Sequence, residues 1–552
     1  MKIKISPALK FTAGLVGVLV FLFAAYRLAF KLAGFLPEPY KPPLLQAQFK
    51  FIAGVNNIID AFYPKTYLHA FTVKDLPEFN LTMSATDIKN IAADVKKSLE
   101  VGVHDSETEA TQEISFRFAS QTYKATISFH GGGANTFIYN KTDYDVKLKD
   151  NQAVDNLSKF NLLNSWLHDW ITPLLANSLA DRLELIHNRQ EPVRVKINGK
   201  ANGIYMFEEK VDDQFLKSRN LAGYIIALKD ATRLKHRGNE VALNAHHLSG
   251  WDFAIANVEP LATDDPQALY QTDKFFKAMR DRDLKTLVDV IDLDYLARFE
   301  AYREVLGIDH DVAGDNLRFY YSSSDQKFYP LVRNEGDLTK LTLSGGTTLK
   351  SYNLYDPHLA DQYDYPRLFL LLERLPEFRK LKYGYLNQLA NDYSQIEADF
   401  DQIYAAYADV FIYDTVDEAS IREKKRLLRQ FRDTIDNNLS LIKQQLEFAQ
   451  VAISVVNRPG SVTIEIIPDA VVPVSFTMFK LNFVDAPAQD ITAAVGQDTI
   501  MADFSADFDL LPTTFAYTVP VPAPVSSLSI KAENAVTGAP VTDLYSAIAS
   551  QP

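Results

Sequence analysis

The chain has 552 residues, of which 47% are hydrophobic and 23% charged, which excludes a disordered polymer and leaves room for about three or four domains. Its net charge of −13 argues against nucleic acid as a partner, since phosphate backbones need a basic surface. There is no cysteine, so disulfides, thiolate metal sites and a thiol nucleophile are excluded.

Lys2, Lys4 and Lys10 precede an uncharged run from Phe11 to Tyr26, and Arg27 and Lys31 follow it. With Arg27 snorkelling, Phe11 to Phe30 is about 20 residues, enough to span a bilayer. No small-x-small cleavage pattern follows. Residues 1–31 therefore read as an uncleaved membrane anchor, with the body on the periplasmic or extracellular side. Pro37, Pro39, Pro42 and Pro43 make a stiff spacer, and Leu44 to Phe62 has helical spacing, so residues 32–74 read as tether and helix.

The body begins with a strand at Asp75 to Leu81 and a helix from Ile88 to Leu99, capped by Thr86 or Asp87. Glu113 to Phe129 alternates as two strands joined at Ser120-Gln121. His130-Gly131-Gly132-Gly133 follows, either a backbone cradle for phosphate or a tight hairpin. Lys141 comes next, then a strand, Tyr144 to Leu148, that carries Lys147. Phe160 to Leu185 has a long helical pattern, with Trp166, Trp170, Leu174, Leu175 and Leu179 as core. Val193 to Phe207 is a hairpin turning at Asn198-Gly199, a strong turn signal. A helix begins in Val211 to Arg219, and Leu221 to Lys229 is a buried strand. Lys235-His236-Arg237 and His246-His247 read as a solvated loop, since adjacent histidines rarely face one metal.

The densest cluster of chemistry lies in Asp309 to Asp337. Asp311 and Asn316 have the spacing D-x-x-x-x-N, a hairpin pattern follows, and Glu335 and Asp337 close the stretch. Protein kinases use that spacing to set a carboxylate beside the acceptor hydroxyl and an amide oxygen on a metal ion. On spacing alone a surface loop is the simpler reading.

Pro357 to Gln450 is mostly helical and ends in a helix with Leu427, Leu428, Phe431, Ile435, Leu439, Ile442 and Leu446 on one face. The basic residues of Arg422 to Arg432 lie around that stripe as a solvated face. From Arg458 onward strand patterns alternate with Pro, Gly and Asp, so residues 456–552 read as a small, acidic antiparallel β-sandwich. There, Asp503, Asp507 and Asp509 form a solvated edge or a calcium site.

The order of these motifs resembles the CotH family, atypical and strongly diverged relatives of protein kinases. The most specific segment is Asn198-Gly199 through Gly203, Tyr205, Glu209 and Asp212. Tyr224 to Lys229 is similar to the family's "YK" strand, Asp311 to Tyr320 to its Asp/Asn loop, and Leu371 to Tyr385 to its helical tail. Asn334-Glu335-Gly336-Asp337 stands where the family has "WDxD", and His130 where it has the arginine of an "RG" turn.

The resemblance implies an α+β fold, a diverged protein-kinase-like body over residues 75–455, between the membrane helix and the sandwich. It implies transfer of the ATP γ-phosphate to a protein or surface-polymer hydroxyl. By position, Asp311 is the catalytic base, and Asn316 and Asp337 hold magnesium or manganese. Lys147 or Lys141 binds phosphate, Lys229 lies at the nucleotide, and Glu209 is the lysine's acidic partner or a nucleotide-site residue. The departures at Asn334, Glu335 and His130 leave a second reading open, a non-catalytic envelope scaffold whose sandwich does the binding.

Overall fold

The computed structural model describes residues 76–101, 111–131, 141–166, 169–228, 255–259, 265–308, 317–333, 367–414, 416–417, 419–447, 449–469, 472–496, 500–504, 510–511, 513–541 and 543–550, and a few isolated positions near residue 50. The proposed anchor, tether and Leu44–Phe62 helix lie essentially outside these. Among the described residues no helix is long and apolar enough to cross a membrane.

Seven strands close into a barrel. The chain runs β1 (Glu78–Thr82), α1 (Ala85–Val101), β2 (Gln112–Phe118), β3 (Gln121–Phe129), β4 (Tyr144–Leu148), β5 (Lys159–Asn164), α2 (Thr172–Arg182), β6 (Gln190–Ile197) and β7 (Lys200–Glu209). Their order around the barrel is β1-β2-β3-β4-β5-β7-β6, closed by β1 lying parallel to β6. Inward residues alternate along each strand, among them Phe79, Phe116, Ile127, Val146, Phe160, Leu162, Val195, Tyr205 and Phe207, and they fill the interior. Helix α1 is capped by Ser84, whose Oγ accepts from Asp87 N (3.1 Å) while Ser84 N donates to the Asp87 carboxylate (2.7 Å). That reciprocal box moves the cap upstream of Thr86.

The helical pattern expected over Phe160 to Leu185 divides in two. Phe160 to Asn164 belongs to strand β5, and only Thr172–Arg182 is helical. Both faces of β5 are buried, Phe160 and Leu162 into the barrel and Leu163 against the rest of the body, so the alternation that marks a half-exposed strand is missing. Pro173 in its first turn starts α2 where the strand has ended. The hairpin β6–β7 turns at Asn198 (φ 50°) and Gly199 (φ 77°), both left-handed as that two-residue turn demands.

Beyond β7 come α3 (Asp213–Ser218), β8 (Gly223–Leu228), β9 (Ile255–Glu259), α4 (Pro266–Asp281), α5 (Leu284–Val290), α6 (Leu293–Leu306), β10 (Arg318–Ser322) and β11 (Phe328–Pro330). The four strands form a second sheet, β11-β10-β8-β9. Helix α6 is buried on nearly every side, eleven of its residues being inaccessible, so it is the axis of the helical body. Around it pack α7 (Arg367–Leu372), α8 (Pro376–Asn391), α9 (Tyr393–Ile412) and α10 (Ile421–Glu447). The stripe expected on α10 is its core face, but Lys424 also lies on it, buried.

The C-terminal sandwich continues through β12 (Gln450–Arg458), β13 (Ser461–Asp469), β14 (Val474–Phe483), β15 (Gln489–Asp490), α11 (Thr492–Val495), β16 (Asp503–Phe504), β17 (Leu510–Leu511), β18 (Phe515–Pro520), β19 (Val525–Asn534) and β20 (Asp543–Ser550). A four-stranded sheet, β18-β13-β12-β20, faces a three-stranded one, β15-β14-β19; the sandwich is not wholly antiparallel as expected, because the last strand, β20, runs parallel to β12. Its first strand starts at Gln450, ahead of the compositional change at Arg458. The sandwich shares one apolar core with the helical body, and the buried Arg379 of α8 donates to Ala502 O at 2.6 Å.

Candidate functional site

The outer face of the barrel has three successive rows, two residues apart along the strands. The first is apolar. Leu163 of β5 lies opposite Met206 of β7, and both pack with Ile204 into the core of the helical body.

The second row is polar and runs in register across five strands: Ser128, Asp145, Asn161, Glu208 and Gln190. All but Asp145 are buried, Asn161 at 2% and Glu208 at 1% exposure. The Asn161 amide donates to Glu208 Oε1 (2.7 Å) and the Gln190 amide to Glu208 Oε2 (2.9 Å). Asp145 is paired with His130 (3.0 Å) and with Lys210 (2.8 Å). Burial would raise its carboxyl pKa, but the His130 hydrogen bond and the charges of His130 and Lys210 hold it down to about 2. Burial would likewise lower His130, and the hydrogen bond and charge of Asp145, with Asp143 and Glu208 behind, raise it instead.

The third row faces water and carries Lys147, directly opposite Lys159 on β5. Two ammonium groups paired across strands repel each other unless an anion lies between them. Lys159 has Asp212 at 3.6 Å, and Lys147 has no acidic partner among the described residues.

Lys141 is elsewhere and has another task. It is wholly buried where the barrel meets the helical body. Its ammonium donates to Ser165 Oγ (3.1 Å) and Ile204 O (2.7 Å), and it forms ion pairs with Asp414 (3.0 Å) and with Asp417. Asp417 in turn holds Lys424 at 2.9 Å and the Trp170 indole N–H at 3.3 Å. Burial would lower the Lys141 pKa, but the charges of Asp414 and Asp417 raise it, so the group stays an ammonium. It clamps the two lobes together and has no capacity left for a phosphate. Gly203 lies in the same contact, at φ +91°, and a Cβ there would come 2.8 Å from Asp414 Oδ2. That close approach explains the second glycine of the hairpin motif.

Glu209 is not on the lysine face either. It pairs in register with the inward-facing Phe160, whereas Lys147 points outward. Its partner is Arg219, which donates to Oε1 (2.9 Å) and Oε2 (2.7 Å) and to His187 O (2.9 Å). The pair fixes the linker from barrel to helical body, and Asp212 within that linker caps α3 through Gln214 N (2.8 Å). Glu208, its neighbour in sequence, is the acid on the same face as Lys147.

Asp311, Asn316, Asp337 and Lys229 lie outside the described residues, as do Glu335 and the His246-His247 pair; what can be placed is the frame around the Asp/Asn loop. Helix α6 ends at Leu306, and the buried Arg303 donates to Ile308 O (3.1 Å) and to Glu300 (2.6 Å), fixing the peptide that leads into Asp309. Leu317 lies in the core and leads into the hairpin β10–β11. Val332 then bridges His187 and donates its N–H to Ile186 O (2.9 Å). Ile308, Leu317 and Val332, described residues on either side of the two segments, are thus each fixed in the core. Among the described residues no three His, Asp or Glu side chains converge as a metal site.

A family model, the CotH kinase protein, matches residues 127–415, just over half of the chain. The chain belongs to the CotH kinase family. Comparison with curated proteins gave no match. The CotH match begins inside β3 and ends beside Asp414. Strands β1 and β2, which close the barrel, precede it, and Asp417, Lys424 and the sandwich follow it.

Sequence reasoning missed Asn161 and Glu208, and it missed Lys159. The signal was present in Phe160-Asn161-Leu162-Leu163-Asn164, where polar residues interrupt an apolar strand, and the helical reading of that stretch concealed it.

Proposed function

We propose that this CotH kinase is an ATP-dependent phosphotransferase acting on a protein or surface-polymer hydroxyl. The observation that carries the reading is the family match together with the frame it spans: an axis helix, the Asp311–Asn316 segment, a β-hairpin, and the segment with Asp337. Asp311 orients the acceptor hydroxyl as base. Asn316 and Asp337 supply the oxygen donors that suit magnesium or manganese, and that ion would neutralise phosphate charge. Lys147 faces the phosphates, with Lys159 beside it; the two like charges paired on one exposed row support an anion there. Lys229, the residue after β8 in the sequence, stays a nucleotide-side residue in this reading.

The test is nucleotide binding by the full chain, with and without magnesium or manganese, beside Asp337→Ala and Asp311→Asn. Metal-dependent binding disappears in Asp337→Ala. Asp311→Asn still binds ATP but does not transfer phosphate. Unchanged metal-dependent affinity in Asp337→Ala would remove the main support for the site. The same reading keeps residues 1–31 as a membrane anchor with the kinase body outside the cytoplasm. Protease digestion of the body in spheroplasts checks that topology, and protection would overturn it.

A further inference from the structure

We infer that Asn161 reads the exocyclic amine of an adenine base, and so makes the site select ATP over nucleotides that lack that amine. The inference rests on the kinase reading above and adds the specificity of its nucleotide site.

Asn161 is 2% exposed, and its Oδ1 has no hydrogen-bond partner among the described residues. The orientation of its amide is fixed by chemistry. A carboxylate only accepts, so the NH2 must face Glu208, at 2.7 Å. Glu208 is held in turn by the Gln190 amide at 2.9 Å and has no cation in contact among the described residues. The pair therefore offers acceptors and asks for a donor. A buried carbonyl left without one carries a desolvation cost, and buried polar groups are normally satisfied.

The place suits a nucleobase. Asn161 and Glu208 sit immediately beside the apolar row Leu163–Met206 and just before the linker from barrel to helical body. Lys147 and Lys159 lie one row farther out, about 7 Å along the strands. A base seated at Asn161 points its phosphates towards that lysine row. Adenine carries an N6 amine that donates to Oδ1. Hypoxanthine carries an oxygen there, which sets two acceptors face to face, and a site built to hydrogen-bond a group rejects the analogue without it.

The experiment compares binding of ATP and inosine triphosphate to the full chain in the presence of magnesium. The expected result is tighter binding of ATP by about ten- to a hundredfold. Asn161→Leu, with folding followed by its unfolding temperature, reduces that ratio to about one by weakening ATP alone. Glu208→Gln is the second variant. Its amide can donate as well as accept, which frees the Asn161 amide to turn over, and the ratio falls there too. Equal affinities in the unmodified chain overturn the inference and leave the kinase reading standing. A ratio that persists in folded Asn161→Leu and in Glu208→Gln places discrimination elsewhere and also overturns it. Failure to bind either nucleotide overturns both.

Discussion

Replacing Lys141 by methionine separates a structural clamp from a phosphate-binding lysine. Methionine fills much of the same volume but leaves two buried carboxylates with one cation fewer. Asp417 keeps Lys424 (2.9 Å) and the Trp170 indole (3.3 Å), whereas among the described residues Asp414 keeps only the N–H groups of Ile204 (2.8 Å) and Val416 (3.1 Å). Removing one member of a buried ion pair costs about 3–5 kcal/mol. For a chain of this size, at about 2 °C per kcal/mol, the unfolding temperature should fall by about 6–10 °C. Thermal unfolding followed by circular dichroism measures it. Adding Asp414→Asn removes the stranded charge, so the double variant should be less destabilised than the sum of the singles. The converse pattern, an unchanged unfolding temperature with loss of metal-dependent nucleotide binding, would refute the clamp and return Lys141 to the phosphates.

The remaining predictions concern the same seam and its rim. Gly203→Ala should destabilise more than Gly199→Ala: both glycines have positive φ, a backbone cost of about 1–3 kcal/mol, but only at Gly203 does the new Cβ meet a neighbour, Asp414 at 2.8 Å. Equal unfolding temperatures for the two variants would refute the close-approach argument. The raised pKa of His130 predicts stability that is fully present below the ordinary imidazole value of about 6.5 and lost as pH rises through the folded value. The unfolding temperatures of the unmodified chain and His130→Gln should therefore converge towards alkaline pH; a constant gap from pH 5.5 to 9 contradicts the pairing with Asp145. Asp145, held at about 2, works in the opposite sense: its contribution is present above about 3.9 and is lost as pH falls through about 2. Arg303→Met removes the donor that holds Ile308 O and should lower turnover more than nucleotide affinity; an equal loss of both would deny the loop-positioning role.

Much of the body was legible from residues. The hairpin at Asn198-Gly199, the core stripe of α10 and the strands from Ser461 onward follow from turn chemistry and periodicity. What was not legible depends on partners far along the chain. Lys141 and Lys147 look alike in sequence, six residues apart, and their roles separate only when Asp414 and Asp417 are folded against the barrel. Glu208 and Glu209 are adjacent, and strand parity sends one to the lysine face and the other to Arg219. Strand β5 was hidden because burial on both faces erases the alternation that would announce it.

That parity also explains how one barrel serves two purposes. Successive outward positions of β5 are Leu163, Asn161 and Lys159, and those of β7 include Met206 and Glu208. The apolar position is buried against α-helices and fixes the lobe. The next is buried yet polar, a combination that folding alone does not favour, because each such group must recover the hydrogen bonds it gave up. The last is charged and exposed, with a like charge opposite. A barrel selected only for stability would place apolar residues in the middle row, so the stability forgone at Asn161 and Glu208 is the physical reason to look for a ligand there. Asn161→Leu with Glu208→Leu gives the cleanest check of that trade. The double variant should unfold at a temperature equal to or above that of the unmodified chain while losing its preference for ATP; a strongly destabilised double variant would mean that the row is a structural network.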